Sequence, residues 1–169
     1  MFENLLKQLQ ELQNQKINVP IDLDDEGYLD RECPKETCLY QFKVLGEDWS
    51  KLSDDASVYC PSCRHEAGVN SWFTKEQLEH GRNETINYAK SKLGLPIAKD
   101  VKQFNAKQSN NSFLKVTAEY KGSTKEHDIV PVPSRTNVDR KIECVECRTH
   151  YSITGDAKFC PCCGHKSEN

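Results

Sequence analysis

The sequence predicts an α+β chain: two small β-hairpin units, each stapled by four cysteines, with an N-terminal amphipathic helix and a central helix. Three observations carry that expectation. Eight of the nine cysteines fall into two sets with metal-ligand spacing, apolar residues recur at helical spacing in two stretches, and only 36% of the 169 residues are hydrophobic, aromatics making up 8%. A chain so poor in core formers is not expected to build one large core, and metal staples compensate.

The knuckle Phe159-Cys160-Pro161-Cys162-Cys163-Gly164-His165 nearly repeats Tyr59-Cys60-Pro61-Ser62-Cys63-Arg64-His65. Each has an upstream partner: 12 residues separate Cys144-Val145-Glu146-Cys147 from Cys160, and 21 separate Cys33-Pro34-Lys35-Glu36-Thr37-Cys38 from Cys60. That is ligand spacing for two zinc ions, one held by Cys33, Cys38, Cys60 and Cys63, the other by Cys144, Cys147, Cys160 and Cys163. A CxxC turn aims two thiolates at one ion, and two such turns on facing hairpins complete a tetrahedron with Zn–S distances of about 2.3 Å. Proline between the cysteines fixes part of the turn, and Gly164 suits a position of positive φ whose counterpart in the first half is Arg64. The repeat runs past the ligands, because Phe42 and Val44 follow Cys38 at the offsets at which Tyr151 and Ile153 follow Cys147. Each half is therefore expected to enter a strand after its first knuckle.

These residues resemble the zinc-ribbon superfamily, closely over Ile142 to His165 and more loosely over Glu32 to His65. The resemblance implies two short β-hairpins clamping zinc, a fold shared by transcription factors, ribosomal proteins, polymerase subunits and adaptors, and it implies no single activity. The run from Gly27 to Lys92, with Trp72-Phe73-Thr74-Lys75-Glu76-Gln77 after the knuckle, also resembles bacterial stand-alone zinc-ribbon proteins without a settled function.

In chain order, Phe2, Leu5, Leu6, Leu9 and Leu12 recur at helical spacing, with Glu3, Lys7 and Glu11 at i,i+4 steps on another face, so residues 2 to 15 read as an amphipathic helix. A helix of this length is marginal alone. Its stripe is expected to pack on its own ribbon, or else to dock on a partner or a second copy; a membrane surface is disfavoured because the polar face lacks a basic excess. Ile17, Val19, Ile21 and Leu23 alternate as a strand, 24–27 supplies a turn, and Tyr28 to Glu32 returns into Cys33. The acidic residues Asp22, Asp24, Asp25, Glu26 and Asp30 lack the ligand order of a calcium loop and read as a solvated turn. Within the insert from Leu45 to Ser57, Trp49 reads as a cap on a small core.

Thr74-Lys75-Glu76-Gln77 is a capping box. The helix it opens is expected to reach about Leu93, with Leu78, Ile86, Ala89 and Leu93 as its apolar stripe, and to stop at Gly94 and Pro96. Trp72 and Phe73 read as a staple between this helix and the first ribbon, in preference to a base-stacking surface. Polar residues from Gln103 to Ser112 suggest a linker. Leu114, Val116, Ala118 and Tyr120 then alternate as a strand, and His127 to Val132 returns, a hairpin expected to extend the second ribbon's sheet. The expected organisation is thus residues 1–102 with the N-terminal helix, first ribbon and central helix, a linker or mobile loop over 103–112, and residues 113–169 with the hairpin and second ribbon.

No run of residues approaches the roughly 20 apolar positions of a membrane-spanning helix. With no basic-then-apolar leader at its start, the chain reads as cytoplasmic, its nine cysteines metal-bound in a reducing compartment rather than disulfide-bonded. Formal charge is −3; eight ionised thiols and two zinc ions would take it to about −7, which argues against a broadly basic nucleic-acid binder. Charge is uneven, since residues 1–32 hold 3 basic and 8 acidic side chains and residues 101–135 hold 6 and 3.

Four thiolates close a zinc shell, whereas a catalytic zinc keeps a position open for water, so both sites read as structural. Cys162, inside the last CxxC, stands where the first half has Ser62, so Cys160 and Cys163 are the expected ligands. His65 and His165 are read as neighbours of the sites, and His80, His127 and His150 as surface or hairpin residues. No nucleotide loop, dinucleotide fingerprint, nucleophile elbow or HExxH motif occurs. The expected function is a non-enzymatic zinc-binding adaptor that docks to a protein partner or to itself through helix and ribbon surfaces. The runner-up is nucleic-acid binding through Lys99, Lys102, Lys107, Lys115, Lys121 and Lys125 in the basic segment 99–125; a third reading is an accessory subunit of an enzyme complex.

Overall fold

The computed structural model describes residues 2–107, 116–122, 127–129, 132 and 140–167. Its elements in chain order are α1 (Glu3–Gln13), β1 (Tyr28–Glu32), β2 (Gln41–Leu45), α2 (Gly46–Ser50), β3 (Ser57–Tyr59), β4 (Glu66–Gly68), a 3-10 turn (Val69–Ser71), α3 (Lys75–Ala106), β5 (Arg140–Glu143) and β6 (His150–Ile153). Helices combined with antiparallel sheets make this an α+β chain.

Its residues group into two compact units. One unit comprises Pro20–Glu79 and Pro131–Asn169 and contains a four-stranded antiparallel sheet ordered β1-β2-β6-β5, with β3 and β4 forming a second, two-stranded sheet. A strand does follow each first knuckle, and those two strands, β2 and β6, pair with one another through Lys43 opposite Ser152 and Val44 opposite Tyr151. Alternation along both strands sends Phe42, Val44, Tyr151 and Ile153 to one face, where they join Val58, Trp72 and the inner cysteines Cys33, Cys60, Cys144 and Cys160 in a single core. Both four-cysteine segments therefore lie in one unit, a grouping different from the division expected around 103–112.

Trp72 is fully buried, meets Phe42 edge to face at 5.8 Å between ring centroids, and donates its indole N–H to the Ala67 carbonyl at 3.4 Å. Such burial leaves no ring face for a base. The Thr74–Gln77 capping box forms as expected: the Gln77 N–H donates to Thr74 Oγ1 at 3.2 Å, and the Thr74 N–H to Gln77 Oε1 at 3.1 Å.

Three expectations need correction here. Residues 17–23 form no strand, and β1 takes β2 as its partner; a chain of only five residues per strand gains more from joining the central sheet than from a separate hairpin. Asp24 does not sit in a solvated turn. It accepts the N–H groups of Glu26 and Tyr28 at 3.0 and 2.8 Å and pairs with the buried Lys43 ammonium at 2.6 Å, while Asp30 lies 3.8 Å from the same ammonium. Finally, among the described residues it is β2 that extends the sheet of β5 and β6. Residues 116–120 and 127–129 carry no strand, and Leu114, Lys115, residues 123–126, Val130, Pro131 and Pro133 lie outside the described residues.

The other unit comprises Met1–Val19 and His80–Val130. Here α3 runs through Gly94 and Pro96 to Ala106 instead of stopping near Leu93, so the first part of the expected linker, 103–106, is helical, and residues 108–112 lie outside the described residues. Contacts made beyond the proline outweigh the local stop signal. Asp100 accepts the Leu5 and Asn4 backbone N–H groups at 2.8 and 3.4 Å and the Asn4 side-chain amide at 2.6 Å, capping the free amides of α1. Further along α3, Asn105 donates to the Ala118 carbonyl and accepts its N–H, at 2.9 and 3.0 Å. Nearer the start, Asn87 grips His127 in the same two-bonded way, at 2.8 Å for each bond.

Candidate metal centres

The four knuckles are built to one plan. The N–H of the first cysteine in each donates to the carbonyl two residues beyond the second cysteine: Cys33 to Tyr40, Cys60 to His65, Cys144 to Thr149 and Cys160 to His165, all at 2.8 or 2.9 Å. The residue directly after each second cysteine has positive φ, at 50° for Leu39, 59° for Arg64, 61° for Arg148 and 68° for Gly164. Only Gly164 adopts this geometry freely; each of the other three costs about 1–2 kcal/mol, offset by the bond its N–H donates back across the knuckle. In the first knuckle, with four residues between its cysteines, the Lys35 carbonyl accepts that bond, whereas Cys60, Cys144 and Cys160 accept it in the others.

This framework gathers the eight expected cysteines into two groups, Cys33, Cys38, Cys60 and Cys63 in one, Cys144, Cys147, Cys160 and Cys163 in the other, with the Sγ atoms of each group all within 4.8 Å of one another. Sγ···Sγ separations are 3.8 Å for Cys33–Cys63, 3.8 Å for Cys38–Cys60, 3.7 Å for Cys144–Cys163 and 3.5 Å for Cys147–Cys160. A tetrahedron with metal–sulfur bonds of about 2.3 Å has an edge of about 3.8 Å, so the donor sets fit a tetrahedral ion. All nine cysteines are free of disulfides. The first cysteine of every knuckle is buried; Cys63, Cys147 and Cys163 reach solvent and Cys38 partly so.

Burial acts first on these thiols. It pushes Cys60 up to about 11 against the backbone N–H groups of Cys63 and Ser62, and Cys163 up to about 11 against the N–H of His65's counterpart, His165. Cys33 and Cys160 are raised further by the same burial. At Cys147 burial is outweighed by the Thr149 hydroxyl and N–H, which bring it down to about 7. Metal binding must therefore displace protons from Cys33, Cys60, Cys160 and Cys163.

Cys162 lies outside both groups and packs against the core. Burial pushes its thiol up to about 12, the setting of an inert cysteine rather than a reactive one. Neither His65 nor His165 joins a group; their carbonyls close the knuckles, the His65 ring lies 6.4 Å from Trp72, and His165 Nδ1 lies 4.0 Å from Glu146. His150 accompanies Asp48, whose Oδ2 stands 2.9 Å from both the His150 N–H and Nδ1. Although burial works the other way, those bonds and Lys51 hold the Asp48 carboxyl down at about 2.

Several residues at the sites gave no signal in the sequence. Arg31 is buried with its guanidinium 4.4 Å from the Trp49 ring centroid and 5.5 Å from that of Phe73, and burial lowers it to about 10. Its Nε has no hydrogen-bond partner, the ring faces standing in for an acceptor. Tyr40 donates its hydroxyl to the Thr154 carbonyl at 2.6 Å and accepts the Thr154 N–H at 2.9 Å. Only strand register brings such partners together, and one chain's residues do not announce register. Among the described residues, no helix is long and apolar enough to cross a membrane.

A scan against family models, a search of curated proteins and a search of solved structures each found no match.

Proposed function

We infer that this chain is a zinc-binding adaptor of zinc-ribbon type, a non-enzymatic cytoplasmic protein that docks to a protein partner or to a second copy of itself. The observation that carries the reading is the closure of both donor sets: four sulfurs at tetrahedral separation complete the shell of one zinc ion each and leave no position for a reacting water. Each ion would act on folding, at an apparent worth of about 10–16 kcal/mol in comparable small domains. The docking surface is the outer face of α1, where Phe2, Leu6 and Leu9 remain 36, 56 and 39% exposed while Leu5 and Leu12 turn partly inward.

Elemental analysis of reduced protein is expected to return two zinc ions per chain. Leu6→Asp with Leu9→Asp is expected to abolish self-association or capture of a partner with zinc content unchanged. One ion would remove the two-site reading and none the metal reading altogether, and release of metal by the leucine variant would make α1 part of the core and end the docking reading. Nucleic-acid binding through 99–125 is the weaker alternative, as the chain carries a formal charge of −3; oligonucleotide binding that survives about 200 mM salt would reverse that order.

A further inference from the structure

The two cysteine groups are bound to one another by contacts that are reciprocal. Lys43 and Ser152, one of the two residue pairs between β2 and β6, each stand five positions after the second cysteine of their first knuckle. They are the same residue of the repeat, facing itself. The second knuckles repeat the relation: the Tyr59 N–H donates to the Pro161 carbonyl at 2.7 Å, and Phe159, its counterpart, donates to the Pro61 carbonyl at 3.0 Å. Both prolines are fully buried. Beyond them the counterparts Arg64 and Gly164 each lie on the other half's aromatic ring. The Arg64 guanidinium is 5.5 Å from the Phe159 centroid, and a Cβ on Gly164 would come within 3.0 Å of the Tyr59 ring. Self-complementary contact of this kind, patch i on j and j on i, is the signature of a two-fold interface, here closed within a single chain.

In the contact between the second knuckles, each backbone group lies beside a proposed metal ligand. Tyr59 precedes the ligand Cys60 and Pro61 follows it; Phe159 and Pro161 flank Cys160 in the same way. A knuckle keeps its shape only while its thiolates converge, so an ordered knuckle in one half presents a finished docking partner to the other.

We propose that the two four-cysteine groups take up zinc as a coupled pair, the first ion ordering one half and thereby tightening the site in the other. This deepens the zinc reading and rests on it. Coupling is reciprocal by thermodynamic necessity: whatever factor the first site confers on the second, the second confers on the first, on the order of tenfold or more for a contact of this kind.

The test is a zinc titration of reduced, metal-free full-length protein against a chromophoric chelator, with native mass spectrometry counting species that carry no, one and two ions. Two equal, independent sites would place half of the chains in the one-ion form at half loading; coupling of about tenfold would hold it near a quarter. The second arm disables each group in turn, with Cys60→Ser and Cys63→Ser, then with Cys160→Ser and Cys163→Ser. Zinc affinity of the surviving group is expected to fall by the same factor in both directions. Gly164→Asn, which tolerates the positive φ but puts a side chain against Tyr59, should raise the one-ion population while the chain still binds two ions at saturation. A one-ion form at half of the chains or above, together with surviving groups of unchanged affinity, would overturn the coupling and leave the zinc reading standing; a chain that takes up no zinc would overturn both.

Discussion

Cys60 and Cys160 sit in the same buried place in their respective groups, and burial disfavours the charge that a metal ligand must carry. In metal-free protein at neutral pH these thiols hold their protons, as does Cys163. On the proposed reading zinc uptake would expel them, which sets a sign: coordination favours the thiolate, so the stability contributed by the ion would be present at higher pH and lost as pH falls. Affinity measured by chelator competition is expected to drop about tenfold per pH unit for each proton displaced by an ion, between about pH 8 and pH 6. A flat profile would mean that the ion is not held by these sulfurs. The grouping of the eight cysteines into two sets of four was legible from spacing alone, because a thiolate tetrahedron tolerates few arrangements along a chain. Asp48 and Arg31 were not, because the one is completed by His150, more than a hundred positions away, and the other by two rings distant in sequence, Trp49 in α2 and Phe73 just ahead of α3.

Among the elements, α3 separates what local sequence decides from what it does not. Its start was legible, since Thr74 and Gln77 satisfy one another's amides within a single turn. Its end was not. Gly94 and Pro96 are stop signals, yet the helix continues to Ala106 because Asp100 is engaged in capping α1, a contact that no window along α3 contains. Proline inside a helix costs about 3 kcal/mol relative to alanine, so Pro96→Ala is expected to raise helicity and thermal stability of the unit formed by α1 and the greater part of α3. Circular dichroism at 222 nm through a thermal melt reads the change, and a lower midpoint would show that a bend at Pro96 is needed for packing. The apolar stripe of α1 was likewise legible as a stripe, but only packing decided that Leu5 and Leu12 turn partly inward and Leu6 and Leu9 outward.

In the molecule as a whole, Trp49 and Trp72 both belong to the cysteine-bearing unit, while α1 and most of α3 belong to the other. Chelation of metal is therefore expected to shift tryptophan emission to the red and abolish near-ultraviolet dichroism while most of the helical signal at 222 nm survives; equal loss of both signals would show that the helical unit depends on the ions. The repeat in the sequence announced two similar halves but placed them apart, because similarity of two segments says nothing about whether they touch. Their union through β2 and β6 carries a consequence for any shortened or nicked chain. In the intact protein the main-chain groups of Lys43 and Val44 are matched by Ser152 and Tyr151. Remove the second half, and β2 becomes a bare rim with Phe42 and Val44 beside it, a template for another strand. A fragment ending before Arg140 is thus expected to sediment as a dimer or larger aggregate, one copy's β2 taking the place vacated by β6, and a monodisperse monomer of that fragment would show that the rim is hidden by other means.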